Sequence, residues 1–171
     1  MIVTDEDTLL IPSTPVLPGE AAELLTRLEN ELRMSEVQGI GLAACQIGVV
    51  KQAFIIRISA KHSYNFINAR ITHLSEPLIF TAEGCLSYPG QSIRTLRYNT
   101  AVIVDDLNPQ GIRLTGLPAI VAQHEHQHTI GQSMFRNQLS NIKDDGLCLC
   151  SSNLTFAKCC KAELRKHMRI F

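Results

Sequence analysis

The sequence predicts an α+β fold, on three observations. Short β-rich runs crowd the middle of the chain, at 53–58, 64–71, 78–81, 100–105 and 112–114. Two amphipathic helical stretches flank these runs instead of alternating with them, which argues against a doubly wound sheet. The 171 residues, 45% of them hydrophobic, suffice for one domain with its own core.

Residues 1–18 are punctuated by Pro12, Pro15 and Pro18 and read as irregular. A helix is predicted over 20–34, where Ala21, Leu24, Leu25, Leu28 and Leu32 share a face opposite Glu23, Arg27, Glu29 and Glu31. Such a face packs against a sheet. Glycines in Gly39-Ile40-Gly41-Leu42-Ala43-Ala44-Cys45-Gln46-Ile47-Gly48 permit close backbone approach. The third glycine spacing and the preceding strand of a dinucleotide fingerprint are missing there. Glu83-Gly84-Cys85-Leu86-Ser87-Tyr88-Pro89-Gly90 is a small-residue turn region around one thiol. Asn108-Pro109-Gln110-Gly111 is a turn sequence that makes a hairpin of the last two β-runs. Leu117, Ile120, Val121 and His124 then fall at i, i+3, i+4 and i+7, predicting a helix opened by Pro118 and closed near Gly131. There is no internal repeat.

A formal net charge of +0 and a pI near 7.0 give no pull toward nucleic acid or an anionic membrane. The start, Met1-Ile2-Val3-Thr4-Asp5-Glu6-Asp7, lacks the basic-then-apolar pattern of a signal peptide. No apolar run approaches the roughly 20 residues that span a bilayer. A soluble, cytoplasmic, monomeric protein is expected. Of six cysteines, Cys45 and Cys85 stand alone, while Cys148, Cys150, Cys159 and Cys160 crowd together. Without a secretory context, such a cluster reads first as metal ligands rather than disulfides.

The chemistry concentrates in Gln123-His124-Glu125-His126-Gln127-His128. On a helix, His124 and His128 lie one above the other and can grip a divalent metal, with Glu125 beside them as a base for water. A catalytic site needs a third ligand and an open position. Cys85, Cys45, His126, His62, His73 or a distant carboxylate could supply it. His126, two residues from each neighbour, points off their face. Cys85 sits in a tight turn able to present a thiolate, a donor that suits Fe²⁺, Zn²⁺ or Ni²⁺ over Mg²⁺ or Ca²⁺.

Three stretches together, Gly39-Ile40-Gly41-Leu42-Ala43-Ala44-Cys45-Gln46, Glu83-Gly84-Cys85-Leu86-Ser87 and Gln123-His124-Glu125-x-x-His128-x-x-Gly131, resemble in order the signature motifs of peptide deformylases. The resemblance covers roughly residues 1–140. It implies mixed β-sheets around a central metal-binding helix, and removal of formyl from N-formylmethionyl nascent peptides. It implies Fe²⁺, replaceable by Zn²⁺ or Ni²⁺, held by Cys85, His124 and His128. It makes Glu125 the acid–base residue, and the Gln46 amide and Leu86 backbone N–H the oxyanion donors. Ile40 and Gly41 would pair with the peptide as an added strand, and Leu117, Ile120 and Val121 would line the methionine pocket. There are departures: Gln127 stands where the family usually has Asp, Thr129 where it has Leu, Cys45 where it has Pro, Val or Thr, and Ala69 where Pro is common. A tuned rather than dead site is expected.

Beyond residue 147 the chain changes character. Cys148-x-Cys150, eight residues, then Cys159-Cys160 resembles the SEC-C motif, a small zinc knuckle, with Phe156 and Lys158 at its aromatic and basic positions. Ser151 and Asn153 replace glycines of that motif, and Leu154 and Thr155 replace lysines. Four thiolates would close a structural Zn²⁺ site with no open position. The expected organisation is a catalytic domain at 1–140, a linker at 141–147, and a knuckle with basic tail at 148–171. Lys158, Lys161, Arg165, Lys166 and Arg169 against Glu163 suggest docking near the ribosome. A His-Glu-x-x-His zinc peptidase and an inactive deformylase-like binding protein are the competing readings.

Overall fold

The computed structural model describes residues 1–35, 39–59 and 62–167. Among them are helices α1 (Glu6–Leu9) and α2 (Ala21–Met34), then strands β1 (Gly41–Ala43), β2 (Ala53–Ser59) and β3 (His62–Ile67). Strands β4 (Arg70–Glu83), β5 (Ile93–Val104) and β6 (Ile112–Thr115) follow, then helices α3 (Leu117–Thr129) and α4 (Cys160–His167). The strands form two three-stranded antiparallel sheets, β1-β2-β3 and β4-β5-β6. Strands gathered between helices, without regular alternation, are the predicted α+β class. No described helix is long and apolar enough to cross a membrane. Arg169, in the basic tail, lies outside the described residues.

Side-chain alternation decides how the layers stack. In the first sheet Leu42, Ala53, Ile55 and Ile67 face Leu24, Leu28 and Leu32 of α2. Their neighbours Ala43, Phe54, Ile56 and Phe66 face Ala119, Val121 and Ala122 of α3. Ala101, Ile103 and Leu114 of the second sheet close the same core from the other side, so α3 runs between the two sheets. The opposite face of β5 carries Leu96 and Tyr98, which pack with Cys148, Phe156, Cys160 and Leu164. Each large apolar side chain so buried contributes about 1.5–3 kcal/mol.

The predicted helices are α2 and α3, whereas α1 and α4 were not anticipated. The runs at 64–71 and 78–81 divide differently. Asn68, at φ 53°, turns the chain and ends β3, and β4 then continues unbroken from Arg70 to Glu83. Thr72, His73, Ser75 and Glu76 hide that strand in the sequence; it is a sheet edge, where polar residues and Pro77 are tolerated. Strand β5 likewise begins at Ile93, well before the expected residue 100.

Candidate active site

Helix α3 is bounded by two glycines at positive φ, Gly116 (65°) before it and Gly131 (69°) after it, with Pro118 in its first turn. A Cβ on Gly131 would lie 2.5 Å from the Leu10 carbonyl oxygen, so the helix end is fixed against the N-terminal segment. This buries His124, Glu125 and His128. The loop after β4 brings Cys85 to them, with Sγ 3.3 Å from His128 Nε2. One ligand atom each from Cys85, His124 and His128 lies within 4.8 Å of the others. The third candidate ligand at these histidines is therefore Cys85. Cys45 instead directs its thiol at the His128 carbonyl, His62 stacks edge-on against Tyr64, and His73 and His126 line a cavity on the far side of α3.

A buried polar network holds His124. His124 Nδ1 is 2.6 Å from Glu83 Oε1, which leaves Nε2 for the interior of the site. Arg97, 1% exposed, donates to both Glu83 oxygens, through Nε to Oε2 at 2.8 Å and through Nη2 to Oε1. Its Nη1 donates to Gln127 Oε1 at 2.7 Å, and Gln127 Nε2 donates to Asn137 Oδ1 at 2.5 Å. Gln127 thus accepts from Arg97 as a carboxylate would, and donates to Asn137 as a carboxylate could not. Burial alone would raise the Glu83 pKa, but hydrogen bonds from Arg97 and His124 outweigh it and hold the carboxyl below its usual range. For His124, burial disfavours charge, yet the hydrogen bonds to Cys85 and Glu83 prevail and raise its pKa to about 10. Burial, reinforced by the charges on His124 and Arg97, pushes His128 down to about 3. One thiol and two imidazoles whose ligand atoms lie this close together are a donor set that fits a single cation.

On the helix itself, Glu125 Oε2 and His128 Nδ1 are buried with no hydrogen-bond partner among the described residues. Burial lifts the Glu125 pKa to about 7, a value that lets it both take and return a proton near neutral pH. Gly41 is required here: a Cβ would lie 2.5 Å from Glu125 Oε1 and 2.7 Å from Val121 Cγ1. Gln46 is locked by accepting from the Ala43 N–H at 2.8 Å, so its Nε2 points at Cys85 Sγ (3.4 Å) and Ser87 Oγ (3.2 Å). A cavity of about 390 Å³ opens over these groups, and Ile40, Gly41, Leu86, Leu117, Ile120 and Val121 all line it. Phe80, Tyr88 and Gln91 line it too and were not anticipated.

Glu83, Arg97 and Asn137 were also missed. Glu83 stands inside a motif already singled out, and a carboxylate behind a ligating histidine is a recurring arrangement. Arg97 shares the inward face of β5 with Ala101 and Ile103; a charge at such a position signals a buried pair. Cys45 is only 1% exposed, and burial drives its thiol pKa up to about 12, so the exposure that would make it oxidation-prone is absent.

The tail cysteines form a second group. Sγ atoms of Cys148, Cys150, Cys159 and Cys160 lie within 4.8 Å of one another, and none is in a disulfide. Cys150 and Cys159 approach to 3.5 Å, and Ser152 Oγ donates to Cys159 Sγ at 3.1 Å. Ser151 and Asn153, at φ 62° and 61°, hold the left-handed turns that glycine favours. Four converging thiols with no disulfide are a donor set that fits a thiophilic cation.

The polypeptide deformylase family model matches residues 1–144. The peptide deformylase of Natranaerobius thermophilus is 40% identical over 129 residues, covering 68% of this chain and 82% of that protein. Among solved structures, a probable peptide deformylase from Synechococcus phage S-SSM7 superposes with TM-score 0.70 at 32% identity, over 80% of this chain and 98% of that one. Peptide deformylase from Thermotoga maritima gives TM-score 0.68 at 26% identity, over 81% and 96%. The family match stops four residues short of Cys148.

Proposed function

The chain belongs to the peptide deformylase family, metal-dependent hydrolases that free nascent polypeptides of their N-terminal formyl group, and we propose that it does so with Glu125 as acid–base residue and Cys85, His124 and His128 as metal ligands. The observation that carries this assignment is the unpartnered, buried Glu125 Oε2 beside a thiol and two imidazoles that converge within 4.8 Å. Fe²⁺ is the metal we assign, with Zn²⁺ or Ni²⁺ as substitutes. When bound, the cation supplies Lewis acidity toward water and the formyl oxygen.

The remaining work falls to side chains. Glu125 takes the proton of the attacking water as its oxygen bonds to the formyl carbon. It returns that proton to the amine as the C–N bond breaks, giving formate and a free N-terminus. Gln46 Nε2 and the Leu86 N–H donate to the oxygen that gains negative charge. Glu83 holds His124 by its Nδ1, so the ring keeps its orientation throughout. Strand β1 is a sheet edge, and the Ile40 carbonyl already accepts from the Arg57 N–H of β2. Peptide groups alternate along a strand, so Gly41 offers its N–H and C=O to the free edge, where an extended substrate can add. Leu117, Ile120 and Val121 would then receive the methionine side chain.

The tail belongs to the same proposal. Cys148, Cys150, Cys159 and Cys160 would hold a structural Zn²⁺, in a unit 148–171 reached from the catalytic domain (1–140) through 141–147. The local pairing of Leu147 with Thr155 supports a folded unit there. Its basic face would serve docking at the ribosome by a cytoplasmic, monomeric enzyme. Deleting residues from 143 onward should weaken salt-sensitive ribosome co-sedimentation; unchanged co-sedimentation at low salt would remove this element.

The deciding assay is deformylation of formyl-Met-Ala-Ser by anaerobically prepared protein beside Glu125→Ala. The variant should lose activity by about 10²–10⁴-fold with its metal content intact. Equal activity in the two proteins would overturn the role of Glu125.

A further inference from the structure

Strand β5 separates the two thiol-bearing centres, and alternate residues serve each. Arg97 faces the catalytic side, where it grips Glu83 and Gln127. Tyr98, next in sequence and 1% exposed, faces the tail, with its hydroxyl 3.5 Å from Cys160 Sγ. Between this phenol and a thiol either atom can donate; against a thiolate only the Tyr98 hydroxyl can. The same residue is stapled to α3 by its backbone: its N–H donates to Gln123 Oε1 at 3.1 Å, and its carbonyl accepts from Gln123 Nε2 at 2.7 Å. Gln123 immediately precedes His124. Phe156 and Leu164 of the tail complete the apolar contact with Leu96 and Tyr98.

A cavity of about 260 Å³ lies between the centres. Leu149, Cys150 and Ser151 form one wall, and Arg97, Gln127 and Asn137 another. The Glu83–Arg97–Gln127 network draws its strength from a low local dielectric. The 149–151 loop thus forms a wall of the cavity that borders the network behind His124.

We propose that the cysteine centre is a site for a thiophilic divalent cation whose occupancy holds β5 and keeps the catalytic histidine in place, with Tyr98 as the positioning residue that joins the two. This rests on the reading of the tail as a metal site. With the cation bound, the four thiolates fix the 148–151 loop over the cavity and give Tyr98 a charged acceptor. Without it the loop loosens, water enters beside Arg97, and Glu83 holds His124 less firmly.

The test uses the full chain loaded with Zn²⁺, with Cys148→Ser/Cys150→Ser and Tyr98→Phe as variants. Wild type should bind two equivalents and the double variant one. In the double variant the amides of residues 95–98 should exchange faster with solvent, and the remaining equivalent should be lost to a chelator about tenfold more readily. Tyr98→Phe, which keeps all four thiols and the ring, should still bind two equivalents, with the tail's affinity lower by about tenfold. In a Cys160→Ser background the same substitution should have no further effect, which a merely structural role would not produce. A single equivalent in the wild type would overturn the tail as a metal site, and this proposal with it. Two equivalents, with exchange and retention unchanged in the double variant, would overturn the coupling alone.

Discussion

The two thiol-bearing centres solve opposite problems. At the catalytic centre one cysteine and two histidines come from a loop and a helix some forty residues apart, roofed by a cavity of about 390 Å³. At the tail, four cysteines within one short segment bring their Sγ atoms within 4.8 Å of one another. Three ligands with an open side allow a substrate to approach; four ligands of one kind leave no room. Support differs in the same sense. His124 is oriented by a buried ionic network drawn from distant strands, whereas the tail combines local turns at Ser151 and Asn153 with an apolar contact on Leu96 and Tyr98 of β5. On the proposed assignments, ligand number and the depth of the supporting layer separate a site for chemistry from a site for structure.

The largest effect that could break this contrast is Cys85→Ser. Hydroxyl is a poor substitute for thiolate, so deformylation should fall to near background and one of two metal equivalents should be lost, measured by activity and metal analysis on the same sample. A His-Glu-x-x-His peptidase needs no thiolate. Full activity in Cys85→Ser would place the third ligand elsewhere.

Glu83→Gln probes the supporting layer. It removes the charge that Arg97 faces and weakens the acceptor for His124 Nδ1. Breaking a buried pair costs about 3–5 kcal/mol, and loss of an outer partner lowers metal affinity about 10–100-fold. Denaturant melts and chelator competition should both register it. The Glu83 carboxyl is held below its unfolded value, so its stabilisation is present above that value and fades as pH falls through the folded one. The penalty of Glu83→Gln should accordingly be full at neutral pH and smallest in acid. Retained metal affinity together with unchanged stability would show that Arg97 and Glu83 are not what holds the histidine.

How these centres could be read from the sequence follows from the same difference. The catalytic helix was legible because its period is local: His124 and His128 at i and i+4, with an apolar stripe before them. Cys85 was one candidate among several until the family resemblance singled it out, because its approach depends on where β4 ends. Glu83 was in view, but its aim at His124 depends on an irregularity in β4 between Phe80 and Glu83. Arg97 was hidden because Ile93-Arg94-Thr95-Leu96-Arg97 does not read as a buried strand, and only its ion pair lets the arginine face inward. The four tail cysteines announced themselves by spacing. Helix α4 and its contact with Tyr98 did not, since a short, strongly charged segment gains its order from packing.

The smallest effect tests the tail's local geometry. Ser151 is exposed and sits at φ 62°, where a Cβ costs roughly 1–2 kcal/mol. Glycine removes that strain, and its greater freedom in the unfolded chain returns about 0.4–1 kcal/mol of the gain. Ser151→Gly should therefore stabilise the tail by a fraction of a kcal/mol up to about 1 kcal/mol, seen as slower loss of its metal to a chelator. Asn153, at φ 61°, is a residue that tolerates this region, so Asn153→Gly should gain less. The order of the two variants is the sharp part of the prediction. Equal gains, or losses from both, would mean that the loop adopts another conformation around its metal. Then the tail centre would owe its shape to its packing on Leu96 and Tyr98 of β5 and not to its local turns.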